Sequence, residues 1–276
     1  MFFLHSPYMT SFFLLILFIG SNVTHNFAHA SPPRSQVSAS VDYLFLKHVN
    51  YNIDGYTLNI DKGWLPGVQL AYSNTSGRLK STFAFAKYRG DVNYDGQISS
   101  TLYSSTTTED LSLISYRLDK NRPGKLFQFF GMASFQRWNR NILSPNASPQ
   151  NRQYQWLSVE GGLRLNLHLS RSNQIYANVG ISRTFFSRVL LDLTDIDKGK
   201  PLLDLSNEFG ASVNLIYQHN FTRHHRIQFF SKTNYWRFGR SNTRTIENND
   251  GSVDLFTEPR SETLTNAIGF SYLYRF

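Results

Sequence analysis

The chain has 276 residues, 41% of them hydrophobic and 15% aromatic, with 28 Lys and Arg against 19 Asp and Glu, a formal charge of +9, and no cysteine. The missing thiols exclude a disulfide framework, thiolate metal sites and a cysteine nucleophile. After residue 30 no stretch approaches the ~18 apolar residues that a transmembrane helix needs. Residues 1–30 hold no Asp, Glu, Lys or Arg, so the positive balance falls on residues 31–276 and asks for an anionic partner.

Residues 12–20, "FFLLILFIG", are an apolar run followed by a polar stretch and then by Ala28-His29-Ala30, a small-x-small cleavage pattern. This predicts a cleaved secretory signal peptide over residues 1–30 and a mature domain over 31–276, with an uncleaved anchor as the alternative. No Lys or Arg precedes the run, so the positive end of the signal rests on the amino terminus and His5. An exported chain makes nucleic acid an unfitting partner despite the charge.

From Ser31 onward the dominant signal is period two, the mark of strands. Val37, Ala39, Val41, Tyr43 and Phe45 alternate with more polar neighbours, and Val68, Leu70 and Tyr72 repeat the rhythm, as do Phe83 with Phe85 and Phe127 with Phe129. Further runs surround Val159–Leu163, Ile175–Ile181, Phe209–Tyr217, Ile227–Tyr235 and Ile268–Phe276, with a weaker one near residues 110–118 whose facing is ambiguous. The count is ten. Connections alternate in length: short near 74–78, 119–125, 168–173 and 220–225, long near 48–64, 90–109, 141–153, 187–206 and 241–261. Strict alternation of short and long predicts an all-β chain folded as a transmembrane antiparallel β-barrel, with ten strands and both termini on the side of the short turns. Eight or twelve strands stay open because 100–118 is poorly patterned. A soluble β-sandwich would share the strand rhythm, but its turns have no reason to alternate by side.

The last nine residues, "IGFSYLYRF", place Ile268, Phe270, Tyr272, Tyr274 and Phe276 at every second position. This resembles the C-terminal signature of Gram-negative outer-membrane β-barrel proteins, in which a terminal Phe follows alternating aromatic or apolar residues. The resemblance implies an outer-membrane location with periplasmic termini. It also implies that Phe270, Tyr272, Tyr274 and Phe276 form the signal read by the barrel-assembly machinery. It says nearly nothing about activity. Paired with the first strand near residues 37–45, these aromatics would face lipid, with Gly269, Ser271, Leu273 and Arg275 facing inward.

On the outward-running strands the lipid-facing parity ends in a basic residue: Lys47, Lys87 with Arg89, Arg137, Arg183 and Arg237. Each lies roughly 27–34 Å of strand beyond the first lipid-facing position at ~3.3 Å per residue. With a tilt of about 45° this rises close to the ~25 Å apolar band of such barrels. The ring is expected either to pair with lipopolysaccharide phosphates or to snorkel nonspecifically to the polar boundary. The opposite parity places Asp42, Glu160, Arg164, Glu208 and Lys232, with Asn178, Asn214 and Asn234, in the lumen. A ten-stranded lumen should be nearly filled, so these charges are expected to pair as a structural plug rather than line a proton or ion path.

Three motifs carry weaker signals. Asp91-Val-Asn93-Tyr-Asp95-Gly96 fits the start of a calcium loop, yet Leu102 stands where a bidentate Glu is required, so a hairpin tip is expected. His168-Leu-Ser170 lies in a predicted short turn without a third catalytic member. Omptin-type proteases share the ten-strand count and use paired carboxylates with an Asp–His couple at the outer rim. Here only His48 sits near that rim, and only Asp54 or Asp61 could partner it. No catalytic residue, metal site or cofactor is assigned. Residues 187–206 carry Leu190-Leu-Asp-Leu193 and Leu202-Leu-Asp-Leu205 around a turn at Lys198-Gly199-Lys200-Pro201, so the hairpin is expected to continue beyond the membrane, its leucines either capping the barrel mouth or offering a patch to an extracellular partner. Asn249-Asp250-Gly251 marks a turn in the last long connection. The functional expectation is a monomeric, non-enzymatic structural or surface-binding barrel, adhesin-like, in contact with lipid and lipopolysaccharide. A small substrate-specific channel is the alternative, and an outer-membrane hydrolase comes behind it.

Overall fold

The computed structural model describes residues 34–98, 101–120, 125–143, 150–168, 170, 172–193, 199–247 and 253–276. The expected signal peptide over 1–30 and the Asn249-Asp250-Gly251 turn lie outside the described residues. The rest is a closed antiparallel β-barrel with ten staves. They are β1 (Arg34–Tyr51), β2 (Thr57–Ser76), β3 (Leu79–Ile98), β4 (Thr101–Lys120), β5 (Phe127–Ile142), β6 (Gln150–His168) and β7 (Asn173–Asp192). The set is completed by β8 (Leu202–Asn207) with β9 (Phe209–Asn220) as one interrupted stave, then β10 (His225–Ser241) and β13 (Arg260–Arg275). A small hairpin, β11 (Arg244–Glu247) with β12 (Val253–Phe256), extends the last long connection. Closure runs along β1 and β13, from Gln36 opposite Arg275 to Tyr51 opposite Arg260.

Alternation sends one parity of each strand outward. Val41, Tyr43, Phe129, Val159, Ile181, Phe209, Phe229 and Ile268 all stand exposed on the outer wall. A continuous apolar belt on every stave is intolerable in water and is what the lipid-facing band of a transmembrane barrel requires. Phe270, Tyr272, Tyr274 and Phe276 join this belt, while Ser271 and Leu273 between them are buried. Inside the wall, aromatic rings lie over glycines on the neighbouring strand. Tyr88 faces Gly67, Phe130 faces Gly162 and Phe230 faces Gly269, so close that a Cβ on any of these glycines would strike the ring. Such pairs let the sheet curve tightly while filling the interior.

Two expectations are corrected. The connections near 48–64 and 90–109 are mostly strand rather than loop, since β2 begins at Thr57 and β3 and β4 run unbroken to Ile98 and Thr101; the hairpin expected to continue through 187–206 does so, with β7 reaching Asp192 and β8 beginning at Leu202. The apparent calcium motif sits inside β3. There Asp91 accepts from Thr108 Oγ1 (2.7 Å) and Asp95 from Ser104 Oγ (2.7 Å) across the β3–β4 ladder. Turns are tight where the backbone demands it, as at Gly55 (φ 86°) and Gly77 (φ 56°).

The second correction concerns facing. Phe186, at φ 51°, lies in a bulge where the β6–β7 register slips between Gln155 and Leu157, and a second irregularity separates β8 from β9 at Glu208. A bulge adds one residue and so inverts the alternation beyond it. Glu208 therefore leaves the lumen and approaches Arg237 on the outer wall (3.9 Å). Beyond Phe186 the odd residues Val189 and Leu191 turn inward.

Candidate functional site

The two ends of the barrel differ in kind. Toward the long connections, here the loop end, the lumen is filled by a core of Leu46, Leu65, Val92, Trp138, Tyr154, Trp156, Val189, Leu203 and Phe238. Trp138, Tyr154, Trp156 and Phe238 are each 1% exposed, and their rings form a contiguous stack. Trp138 lies 5.3 Å from Tyr154, Tyr154 6.2 Å from Phe238, and Phe238 5.1 Å from Trp156. Leu191, Leu203 and Leu205 belong to this core, so of the two roles open to the leucines of 187–206, these three cap the mouth. Leu202 stays exposed.

Embedded in the stack is an ion cluster that the sequence reading missed. Arg140 Nε–H donates to Glu109 Oε1 (3.2 Å), its Nη2 pairs with Asp61, Trp138 Nε1–H donates to Glu109 Oε2 (2.5 Å), and Thr107 Oγ1 donates to Asp61 (3.0 Å). Arg140, Asp61 and Glu109 are wholly enclosed. A second pair stands nearer the rim, where Arg152 Nη1 and Tyr154 Oη both donate to Glu258 Oε1 (2.9 and 2.5 Å). The cluster lies beyond the lipid belt: Glu109 is three residues, roughly 10 Å of strand, past the row in which Lys87, Ser112 and Arg137 stand side by side. Burial, reinforced by Asp61 and opposed by Arg140, pushes the Glu109 carboxyl up to about 7. Burial also opposes the charge of Arg140, yet Asp61 and Glu109 hold its proton more firmly than usual.

His48, the residue singled out near the rim, is fully buried against Trp138, ring centroids 4.9 Å apart. Its Nδ1 bonds Thr263 Oγ1 (2.8 Å). Asp61 stands opposite it in register, but both Asp61 oxygens are taken by Thr107 and Arg140, so no Asp–His couple forms. Burial, then Arg140 and Arg152, hold the imidazole well below its ordinary value, which keeps it neutral. Asp54 lies in the Asn52–Tyr56 turn, away from it. Ser170 Oγ accepts from the backbone N–H of Ser172 and Asn173 (3.3 and 3.0 Å), a turn role, and the His168 side chain lies outside the described residues. Among the described residues no group of three or more His, Asp or Glu could hold a metal ion.

Toward the short connections, the turn end, the lumen is polar and open. Asp42 accepts from Gln69 and Tyr88 (both 2.7 Å), and Lys232 Nζ donates to Gln69 (2.9 Å) while lying over Phe230. Glu160 accepts from Ser212 Oγ (2.7 Å). Arg164 pairs not with Glu160 but with Asp119 (3.3 Å), beside Arg117, which bonds the same carboxylate through Nε and Nη2. Arg117 was absent from the expected network because the facing of 110–118 could not be read, and Asp119 and Lys80 because they sit at the edges of the short connections near 119–125 and 74–78. Extending the inward parity of Phe130 and Ser134 past the belt would have reached Trp138 and Arg140.

The basic ring lies on the outer wall. Lys47, Arg89 and Arg183 are exposed, Lys87 pairs with Asp110, Arg137 bonds Asn139 (3.4 Å), and Arg183 lies over Phe185 and Phe209.

No protein-family model matches the sequence, and no curated protein matches it. Among solved structures the fold is similar to the outer membrane protease OmpT from Escherichia coli, with a TM-score of 0.61 and 11% identity over 91% of this chain and 99% of that one. The translocator domain of the autotransporter NalP from Neisseria meningitidis aligns with a TM-score of 0.46 and 8% identity over 98% of this chain and 96% of that one. Neisserial surface protein A aligns at 0.38 and 10% identity over 90% of this chain and 99% of that one. The chain thus has the fold of a ten-stranded outer-membrane-type β-barrel.

Proposed function

We propose that the chain is a Gram-negative outer-membrane protein, its turn end in the periplasm and its loop end outside, closed to free diffusion and serving as a non-enzymatic structural or surface-binding barrel. The observation that carries this reading is the filled loop-end cross-section, where Trp138, Tyr154, Trp156, Phe238, His48 and Arg140 are all buried at 0–1% exposure, packing that favours a closed lumen. The strand extensions favour a rigid rim over mobile loops, and the rim offers a hollow of about 340 Å³ among Tyr94, Tyr103, Arg152, Leu193, Phe256 and Glu258. It combines aromatic walls with a fixed ion pair, a lining suited to an extracellular ligand. Lipid and lipopolysaccharide are the surrounding partners, the barrel-assembly machinery a transient one, and the barrel acts as a monomer.

Recordings from the folded protein in planar bilayers are expected to lack a steady open state, and a large, stable conductance overturns the reading. Exchanging residues 193–200 for a Gly-Ser segment should leave the barrel folded and reduce adhesion of cells displaying it. The channel alternative draws on the polar turn-end lumen and needs the aromatic stack to move aside. Trp156→Ala with Phe238→Ala should then raise conductance sharply. A hydrolytic role draws nothing from His48, which has neither access nor an acidic partner.

A further inference from the structure

Beneath the aromatic stack the lumen opens into a chamber of about 280 Å³. At ~30 Å³ per water this holds roughly nine waters, the small end of the range for ligand pockets. Its charged walls are Lys80, Arg117, Arg164 and Lys232 against Asp119 and Glu160, so the cations outnumber the carboxylates two to one. The imbalance is sharpest around Asp119, one carboxylate facing Lys80 and two guanidiniums.

The guanidiniums are held in place rather than merely accommodated. Arg117 lies 3.8 Å over the Phe130 ring and Arg164 5.5 Å from that of Tyr176. Both donate to Asn178 Oδ1, Arg117 through Nη2 (3.1 Å) and Arg164 through Nε (3.0 Å). With Asp119 and Asn178 taking the Nε and Nη2 atoms, Nη1 of each arginine and the Lys80 ammonium have no protein acceptor among the described residues. Three partly buried cations that share the single Asp119 carboxylate leave an excess of positive charge facing the void, which an anion would complete. Around them the neutral wall mixes hydroxyls and amides, as at Ser38, Thr82, Ser115 and Gln228, with apolar side chains such as Leu113, Met132 and Ile216. The approach is basic too: the turn-end mouth, about 820 Å³, is lined by Arg223, His224, Arg226 and Arg275.

We infer that this chamber is a binding site for a small phosphorylated polyol, a sugar phosphate or its like, entering from the turn end. Two oriented guanidiniums and an ammonium suit a phosphate dianion, whose oxygens accept several charge-assisted bonds at once. In the remainder, the hydroxyls and amides suit hydroxyl groups and the apolar side chains suit the C–H faces of a sugar. The closed wall excludes a lipid headgroup sliding in from the membrane, and the aromatic stack excludes passage to the other end. The site is independent of the rim-binding reading, since neither its walls nor its mouth include a rim residue.

The test is calorimetric titration of the full-length folded protein, in neutral detergent at low ionic strength, with glucose 6-phosphate, inorganic phosphate and glucose. Saturable one-to-one binding of glucose 6-phosphate, tighter than phosphate, with no heat from glucose, is expected. Lys80→Gln removes a cation that makes no protein hydrogen bond, so the barrel should fold and affinity fall about tenfold. Arg183→Gln on the outer wall should change nothing. Absence of saturable binding at millimolar ligand overturns the site, as does binding that survives Lys80→Gln but is lost in Arg183→Gln.

Discussion

Thr184 and Glu208 exchange two hydrogen bonds: the Thr184 N–H donates to the Glu208 carbonyl at 3.0 Å, and the Glu208 N–H donates to Thr184 Oγ1 at 3.0 Å. The pair ties β7 to the break between β8 and β9, beside the Phe186 bulge. It therefore secures the two places where the inside–outside alternation reverses. Thr184→Val keeps the shape and strands the Glu208 N–H, which should cost about 1–3 kcal/mol in urea unfolding from vesicles. Phe186 occupies left-handed backbone, so Phe186→Gly should relieve about 1 kcal/mol of strain and Phe186→Val should add to it. If glycine destabilises more than valine, the bulge is not strained.

Arg140 is the sole cation contacting both Asp61 and Glu109 among the described residues. Arg140→Met should destabilise by about 3–5 kcal/mol, because it leaves two carboxylates in a dry core. Adding Asp61→Asn and Glu109→Gln to that variant should recover much of the loss, since the cost lies in the uncompensated charge rather than in the missing side chain. Failure of the triple variant to recover would point to packing of the guanidinium on Trp138 instead.

Glu109 gives the loop end a pH dependence whose sign is unusual for a carboxylate. Its carboxyl rises from an ordinary 4.5 to about 7 on folding, so between those values the folded barrel binds more protons than the unfolded chain. Its contribution to stability should be full below about pH 4.5, fall as pH rises toward 7, and level off above it, a change on the order of 3 kcal/mol. Unfolding midpoints of wild type and Glu109→Gln at pH 5 and 8 check this. The variant should lose most of the difference.

Gly162→Ala and Gly269→Ala should each cost about 1–3 kcal/mol, since the new methyl would meet the Phe130 or Phe230 ring and adjacent backbone carbonyls. Gly131→Ala, where a Cβ meets nothing within 4 Å, serves as the comparison and should be nearly neutral.

Reversing Arg137, Arg183 and Arg237 together to Glu should destabilise the barrel more in lipopolysaccharide bilayers than in neutral detergent if the ring pairs with phosphates. Equal loss in both media would leave only the snorkelling role. Because Arg237 also faces Glu208, a modest loss common to both media is expected.

Much of this barrel could be read from residue order. Val41, Tyr43, Phe129, Ile181 and Ile268 announce their face because lipid demands an apolar side chain at every second position, a local and repetitive constraint. Asp42, Glu160, Arg164 and Lys232 fall inside by the same parity. The rule fails where the count of two is broken. Phe186 looks like any other aromatic in an alternating run, and nothing near Glu208 signals that the strand is interrupted there. The connections near 48–64 and 90–109 look like loops in the sequence because beyond the lipid belt the outer face turns polar and the two-colour pattern fades. The strand itself continues, held by ladder bonds that every residue can make.

By itself the sequence determined a barrel, the lipid belt and the basic row above it, since these follow from alternation along each strand, while the count of ten staves was closed only by the structure. Which charge meets which was decided only by the tertiary structure. Asp61, Glu109 and Arg140 lie on three different strands, and Asp119 gathers Arg117 from its own strand and Arg164 from two strands away. Such partnerships depend on register, stagger and two bulges summed around a closed wall. The same closure stacks Trp138, Tyr154, Phe238 and Trp156 across one end and leaves three cations facing a polar chamber at the other.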